Sequence, residues 1–321
     1  MSERSDTARA PRQIYRDPVY DGATDPTVVL AEGTWWMFYT QRRATHPDPG
    51  PGVAWVHGSR IGIAHSPDGV DWSYVGTLEP DASGLHLRAG APPADIDRTH
   101  WAPDVVHDGT RWRMYLTEID GVPDRWDGHA RRIVDYESDD LAQWRRRGVV
   151  PLSSDRVIDA AVASCPDGVW RLWYKDEADE STTWAAVSAD LDDWRVEGRV
   201  IGGRPHEGPF VFPLGGWWWM LTDEWRGMAV HRSVDATTWE RQGDEDAVIL
   251  GEHDRARDGS QVGRHGSVVV VGETARLFHF THPWWDGSEI ADVAELDQRR
   301  SAVHVVRLLV LDGRLLATIP A

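Results

Sequence analysis

The sequence predicts an all-β fold, a five-bladed β-propeller with four-stranded antiparallel blades. Three observations predict it. Short apolar or alternating runs recur between turn pairs such as Asp-Gly, Gly-Gly and Pro-Asp-Gly, with no long amphipathic helix among them. A degenerate repeat occurs five times: a polar residue, a short apolar run, a turn glycine, then an aromatic-rich run. Four copies close on Asp-x-x-x-Trp or its like, from Asp68 to Trp72, Asp140 to Trp144, Asp190 to Trp194 and Asp235 to Trp239.

Taken in order, the first copy runs from Asp25-Pro26 through Val28-Val29-Leu30 and Gly33 to Trp35-Trp36-Met37-Phe38-Tyr39. The second opens at Asp104, turns at Gly109 and continues as Trp112-Arg113-Met114-Tyr115-Leu116. The third opens at Asp159, turns at Gly168 and continues as Trp170-Arg171-Leu172-Trp173-Tyr174. The fourth opens at Glu207, turns at Gly215 and reads Trp217-Trp218-Trp219-Met220-Leu221. The fifth opens at His265, turns at Gly272, reads Arg276-Leu277-Phe278-His279-Phe280 and ends in the alternating run Val303 to Val310. The length of 321 residues alone allows about two domains. Repeats stacked round one axis form a single unit instead. The chain therefore reads as one domain over 1–321, with a lead-in over 1–20 and blades near 21–80, 100–150, 155–200, 205–245 and 262–317. The competing folds are a β-sandwich with a second domain and a seven-bladed propeller, which needs more copies than the chain offers.

Composition narrows the function. With 34 Lys+Arg against 52 Asp+Glu, the net charge of −18 disfavours nucleic acid and anionic membranes as partners. One cysteine, Cys165, precludes an internal disulfide. The polar N-terminus and the lack of any 18-residue apolar stretch lead to the expectation of a soluble, cytoplasmic protein. The 19 tryptophans outnumber the 5 Phe and 7 Tyr. Those recurring by blade, Trp112, Trp170 and Trp218 and then Trp72, Trp144, Trp194 and Trp239, are expected to pack between blades. Trp55, Trp101, Trp126, Trp225, Trp284 and Trp285 fall outside the repeat and are the candidates for stacking on a sugar. His46, His57, His100 and His129 have no metal-ligand spacing and are expected to be solvated loop residues, so no zinc site is expected.

In a propeller the innermost strand of each blade lines the central channel, and the residues that open these strands meet at one mouth. Here they are Asp25, Asp104, Asp159, Glu207 and His265. Any one of them alone is explained by the habit of Asp of opening strands and capping turns. Five in register point to chemistry. Like charges brought so close separate their pKa values, so that one carboxyl keeps a proton while its neighbours ionise. Glycoside hydrolysis requires such a set, an acid for the leaving oxygen and a base for water.

At these residues the sequence resembles glycoside hydrolase family 43, from about residue 20 to 315. Asp25-Pro26 is similar to the family's first-blade Asp-Pro, which implies that Asp25 is the general base. Glu207, in Glu207-Gly208-Pro209, is similar to the family's Glu-Gly-Pro and implies the general acid. Asp159, followed by Ala160 where the family usually has Pro, resembles the Asp that orients the acid and tunes its pKa. Trp101-Ala102-Pro103-Asp104 resembles the Trp-Ala-Pro motif beside the sugar, which makes Trp101 and Asp104 candidate substrate-binding residues. Arg264-His265-Gly266-Ser267 resembles the fifth-blade segment whose His lies on the axis and, in some members, helps hold calcium through water. His265 is accordingly a candidate for substrate and for calcium, with no other cofactor implied. His282, after the second strand of the last blade, is a further candidate at the pocket. Arg16-Asp17-Pro18 matches a motif of the sucrose-cleaving family 32. There the motif follows the first-blade Asp, whereas here it precedes Asp25, and that family's acid is followed by Cys rather than Gly. Asp17 is therefore assigned to the lead-in.

The resemblance implies an inverting glycosidase acting on arabinofuranosyl, xylosyl or similar residues of an oligosaccharide, and long loops that could close one end of the channel lead to the expectation of exo action. The alternatives are a phosphate-dependent glycoside phosphorylase, which needs cations for phosphate and one acid catalyst, and a non-catalytic carbohydrate-binding propeller. The segments Thr45 to Arg60 and Asp120 to Arg132 have no counterpart in the family pattern.

Overall fold

The computed structural model describes residues 12–90, 97–253, 261–285 and 296–318. Strand β1 (Arg12–Tyr15) leads into a first group, β2 (Ala23–Ala31), β3 (Thr34–Gln41), β4 (Arg60–Ser66) and β5 (Ser73–Pro80). After β6 (Gly84–Arg88) comes a second group, β7 (Arg98–His107), β8 (Trp112–Asp120), β9 (Arg132–Ser138) and β10 (Gln143–Val149). The third is β11 (Val157–Ser164), β12 (Trp170–Asp176), β13 (Thr182–Ser188) and β14 (Arg195–Ile201). The fourth is β15 (Glu207–Leu214), β16 (Trp217–Asp223), β17 (Met228–Ser233) and β18 (Glu240–Arg241). The last is β19 (Arg264–Val271), β20 (Thr274–Thr281), β21 (Ala302–Leu311) and β22 (Arg314–Thr318). Strands within a group pair antiparallel in chain order. The first strand of each group packs on that of the next, and β19 packs on β2, so β2, β7, β11, β15 and β19 form a closed ring.

The repeated residues account for this regularity. In the turn after β4, the Ser66 hydroxyl accepts the amides of Asp68 and Gly69, and Asp68 Oδ1 accepts those of Val70 and Asp71. The same bonds recur at Ser138–Asp140, Ser188–Asp190 and Ser233–Asp235, a side-chain substitute for backbone pairing in a tight turn. Each turn aims its closing tryptophan at an aromatic ring of the preceding group. Trp144 meets Phe38 edge-on at 5.8 Å, Trp194 meets Tyr115 at 5.8 Å, Trp239 meets Trp173 at 6.1 Å, and Trp72 meets Phe278 of the last group at 6.1 Å. Such pairs contribute about 0.5–1.5 kcal/mol each beyond the area they bury. The recurring tryptophans thus fasten one group to the next.

Two features depart from the simple repeat. β6 pairs with β5 on one side and β10 on the other, joining the first two groups into a nine-stranded sheet. The last group supplies β19, β20 and β21 in order, and the edge of β21 is shared by β22 and by β1, opposite Val303 to Val305. Residues 12–15 are therefore part of the last group's sheet, where the sequence reading leaves 1–20 as a lead-in. Asp17 fastens them. It is 2% exposed, and its carboxylate accepts the Tyr39 hydroxyl at 2.7 Å, the Gln41 amide at 2.8 Å and the Tyr20 N–H at 2.6 Å. Tyr15 of β1 shares a hydrogen bond with Tyr39 at 3.0 Å. First and last groups are thus tied through buried polar contacts that no strand pattern encodes.

Replacing Asp17 by Ala strands the buried Tyr39 and Gln41 donors and is expected to cost about 3 kcal/mol. Asp71→Ala, at a 77% exposed side chain, is expected to change stability by less than about 0.5 kcal/mol. Urea unfolding midpoints of the two variants measure the difference, and equal midpoints contradict the role given to Asp17.

Candidate active site

Every innermost strand breaks its register with β-bulges, between Thr24 and Thr27, Trp101 and Asp104, Ile158 and Ala161, Glu207 and Phe210, and Arg264 and Gly266. Four of the bulges contain a left-handed residue: Asp25 at φ 49°, Ala102 at 45°, Asp159 at 59° and Gly208 at 57°. Three of these precede proline (Pro26, Pro103, Pro209), which has no N–H to leave unpaired where the ladder is interrupted. The preceding group clamps the bulges. Thr40 Oγ1 accepts the Ala102 N–H at 2.8 Å, Thr117 Oγ1 that of Asp159 at 3.2 Å, Asp159 Oδ2 that of Gly208 at 3.0 Å, and Asp223 Oδ2 that of His265 at 2.9 Å. Gly208 is required at its step, since a Cβ there would lie 2.4 Å from the His265 ring.

The bulges correct the expected alignment of five openers. Asp25 and Asp159 share the left-handed step, but Glu207 stands one residue before it, level with Trp101. Asp104 stands two residues after Ala102, is 4% exposed and accepts the Val162 N–H at 2.7 Å. It bridges β7 to β11 and does not line the cavity described below. Burial raises its pKa to about 7. The prolines in Asp25-Pro26, Ala102-Pro103 and Gly208-Pro209 were the signal in the sequence that marks the true register.

Asp25, Asp159 and Glu207 line one cavity of about 640 Å³, together with Trp101 and His282. Thr24 donates to Asp25 at 3.0 Å, and Arg42 lies 3.7 Å from the same oxygen. His265 sits between the two Asp, its Nδ1 3.7 Å from Asp25 and 4.0 Å from Asp159. Lys175 Nζ, at the end of β12, donates to Glu207 at 3.1 Å and lies 3.5 Å from Glu177 and 5.1 Å over the Trp225 ring. These surroundings divide the carboxyls. Burial raises Asp159 to about 6, with Glu207 and Asp25 adding repulsion against the pull of His265 and Lys175. Burial also pushes Glu207 up, but Lys175 and the Trp225 side chain outweigh it and hold the carboxyl well below the usual range. The expected separation of pKa values is present, with Asp159 raised and Glu207 lowered. Lys175 is the residue that reading the sequence missed, because nothing in Trp173-Tyr174-Lys175-Asp176 marks a lysine as facing the channel.

Five of the six non-repeating tryptophans line the cavity: Trp55, Trp101, Trp126, Trp225 and Trp285. Trp284 does not, and lies under the guanidinium of Arg16. The two unplaced segments build one wall. The Val53 N–H donates to the Asp124 carbonyl at 3.1 Å, and the Trp101 indole donates to Val56 O at 3.1 Å. Gly52 tolerates this contact only as glycine, since a Cβ would lie 2.1 Å from Asp124 O. Arg131 holds the second segment by bonding Glu177 and the Trp126 carbonyl. His57 and His100, expected in solvent, are both fully buried. The His57 ring packs among Trp101, Trp126 and His129, and burial holds it neutral. His282 gives Nδ1 to the Arg300 carbonyl at 3.0 Å and is likewise neutral through burial. Among the described residues no three His, Cys, Asp or Glu side chains come together as metal ligands, and His265 Nδ1 is turned to the carboxyls of Asp25 and Asp159.

The sequence profile of glycosyl hydrolases family 43 matches residues 15–283, a span that contains Asp25, Trp101, Asp104, Asp159, Lys175, Glu207, His265 and His282. The chain belongs to family 43. It is a glycosidase of that family, and the solved structures agree on the fold. A thermostable family-43 glycoside hydrolase superposes with a TM-score of 0.68 at 18% identity, over 96% of each chain. An exo-1,5-α-L-arabinanase from a bovine ruminal metagenomic library gives 0.61 at 14%, over 96% of this chain and all 100% of that one. A xylan β-1,4-xylosidase from Bacillus halodurans gives 0.66 at 15% over 95% of this chain, which spans 57% of that longer protein. No curated protein matches the sequence.

In this family-43 site, removing the ammonium beside Glu207 takes away the charge that favours its ionised form. Lys175→Met is therefore expected to raise the Glu207 pKa by at least about one unit. Titration of ¹³C-labelled glutamate by NMR, assigned with Glu207→Gln, measures it. An unmoved titration contradicts the electrostatics described here.

Proposed function

We propose that the five strand groups are the blades of a single five-bladed propeller, and that the enzyme hydrolyses glycosidic bonds with inversion. Asp25 takes a proton from water as the water attacks the anomeric carbon. Glu207 gives a proton to the departing oxygen, and Asp159 orients and tunes that acid. The observation that carries this reading is the convergence of three carboxyls, in unlike electrostatic surroundings, on one cavity walled by tryptophan. Inversion needs the base and acid about 6.5–9.5 Å apart, with water between the base and the sugar. Glu207 is ionised in the free site, so it acts as an acid once bound sugar has displaced water and raised its pKa. Indole faces suit the C–H side of a sugar ring, with Trp101 nearest the carboxyls in sequence register.

The wall made by residues 45–59 and 121–131 supports exo action, since it closes one side of the cavity. A terminal arabinofuranosyl, xylosyl or similar residue is the proposed substrate. The names of the similar structures, a xylosidase and an exo-arabinanase, support that range.

The two roles are separable by leaving group. Glu207→Ala is expected to lose about 10²–10⁴ in kcat on substrates with a poor alkoxide leaving group, and far less on activated aryl glycosides. Asp25→Ala is expected to lose activity on both, with turnover of aryl substrates restored by azide. Full activity in either variant across the panel contradicts the assignment.

A further inference from the structure

Two guanidinium groups at the Asp25 side of the cavity have no part in the reaction above. Arg42 follows β3 and Arg264 opens β19, and both line the cavity beside Asp25, Phe280 and His282. They flank one ring. Arg264 is the cross-strand partner of Phe280, and the Arg42 guanidinium lies 5.5 Å over the Phe280 centroid. Neither guanidinium makes a hydrogen bond to a carboxylate among the described residues, although Arg42 is ion-paired with Asp25 and the charge of Arg264 acts on Asp223. The carboxylate nearest Arg42 is Asp25 at 3.7 Å, beyond hydrogen-bond distance, and Arg42 Nε is buried with no partner. The Arg264 guanidinium lies 5.2 Å over the Trp285 ring, with no described carboxylate within ion-pair distance. Asp25 already accepts the Thr24 hydroxyl and faces His265.

A guanidinium that lines a cavity without a hydrogen-bonded carboxylate offers its planar fork to a carboxylate, phosphate or sulfate. Nor is this cationic corner the spill-over of a basic protein, since the chain carries −18 overall. His282, the third polar group of the corner, is a neutral ring and adds hydrogen bonding without a competing charge.

We propose that Arg42 and Arg264 form an oxyanion subsite beside Asp25, so that the ligand bound there brings an acidic group. The anion has two sources: the carboxylate of a uronosyl residue, or a free oxyanion such as phosphate seated beside a neutral sugar. The inference rests on reading the cavity as the sugar site and narrows what that site accepts.

Calorimetric titration of the wild-type protein with D-glucuronate, D-xylose and inorganic phosphate tests it. A uronosyl ligand predicts glucuronate binding at least tenfold tighter than xylose, with the ratio falling to about one in Arg42→Gln and in Arg264→Gln. A free oxyanion predicts phosphate binding that tightens xylose binding, lost in the same two variants. Equal affinity for glucuronate and xylose together with no phosphate binding overturns the proposal, as does an anion preference untouched by both variants. These titrations are independent of turnover. Lost anion preference with normal hydrolysis sinks the subsite alone, and intact anion binding with no dependence on Glu207 sinks the hydrolytic reading alone.

Discussion

The structure depends on one backbone constraint, the left-handed residue at the bulge of an innermost strand, held by hydrogen bonds from the neighbouring group. A non-glycine residue in that conformation costs of order 1–3 kcal/mol, and it persists only where its surroundings over-determine it. Ala102 and Asp159 meet that condition in this ring. The amides of Ala102 and Asp159 are claimed by threonines from the preceding group, and those of Gly208 and His265 by Asp159 and Asp223. The bulge frees the strand from strict alternation. Carboxyls that a regular ladder would bury within the ring are turned toward the cavity instead. The same hydrogen bonds make Asp159 a structural clamp and a member of the charged cluster at once.

The clamp also explains why these carboxyls differ. Asp159 spends one oxygen on the Gly208 N–H and is only 5% exposed, so burial dominates and raises its pKa to about 6. Glu207 stands one residue earlier on its strand and reaches Lys175, which overrides burial. A one-residue difference in register therefore shifts two like groups in opposite directions. Lys175 is held in turn by Glu177, which also bonds Arg131, the residue that anchors the wall segment carrying Trp126. The surroundings of Glu207 and the wall of the cavity are thus linked through Lys175, Glu177 and Arg131.

Much of this was legible in the sequence. The strand groups follow from turn glycines and aromatic runs, because each copy has to solve the same packing problem. The closing tryptophans read as inter-unit packing for the same reason, and their edge-on contacts with Phe38, Tyr115, Trp173 and Phe278 bear this out. Register at the bulges was harder. Counting from polar openers put Asp104 among the site residues, whereas counting from the prolines puts Ala102 at its place. The contacts made by Asp17, Lys175 and Arg42 were not legible, since each depends on which chain segments the ring closure brings together. No periodicity carries that information. Nor does loop composition foretell that His57 would be enclosed by Trp101 and Trp126.

The claim most open to direct test is that Asp25 and Glu207 work from opposite sides of one sugar as base and acid. Proton NMR of the sugar released in the first minutes of turnover, before mutarotation, reads the anomeric configuration of the product. Inverted configuration relative to the substrate is the expected result. A retained configuration would mean a covalent glycosyl intermediate on one carboxylate, and would contradict the roles given to both.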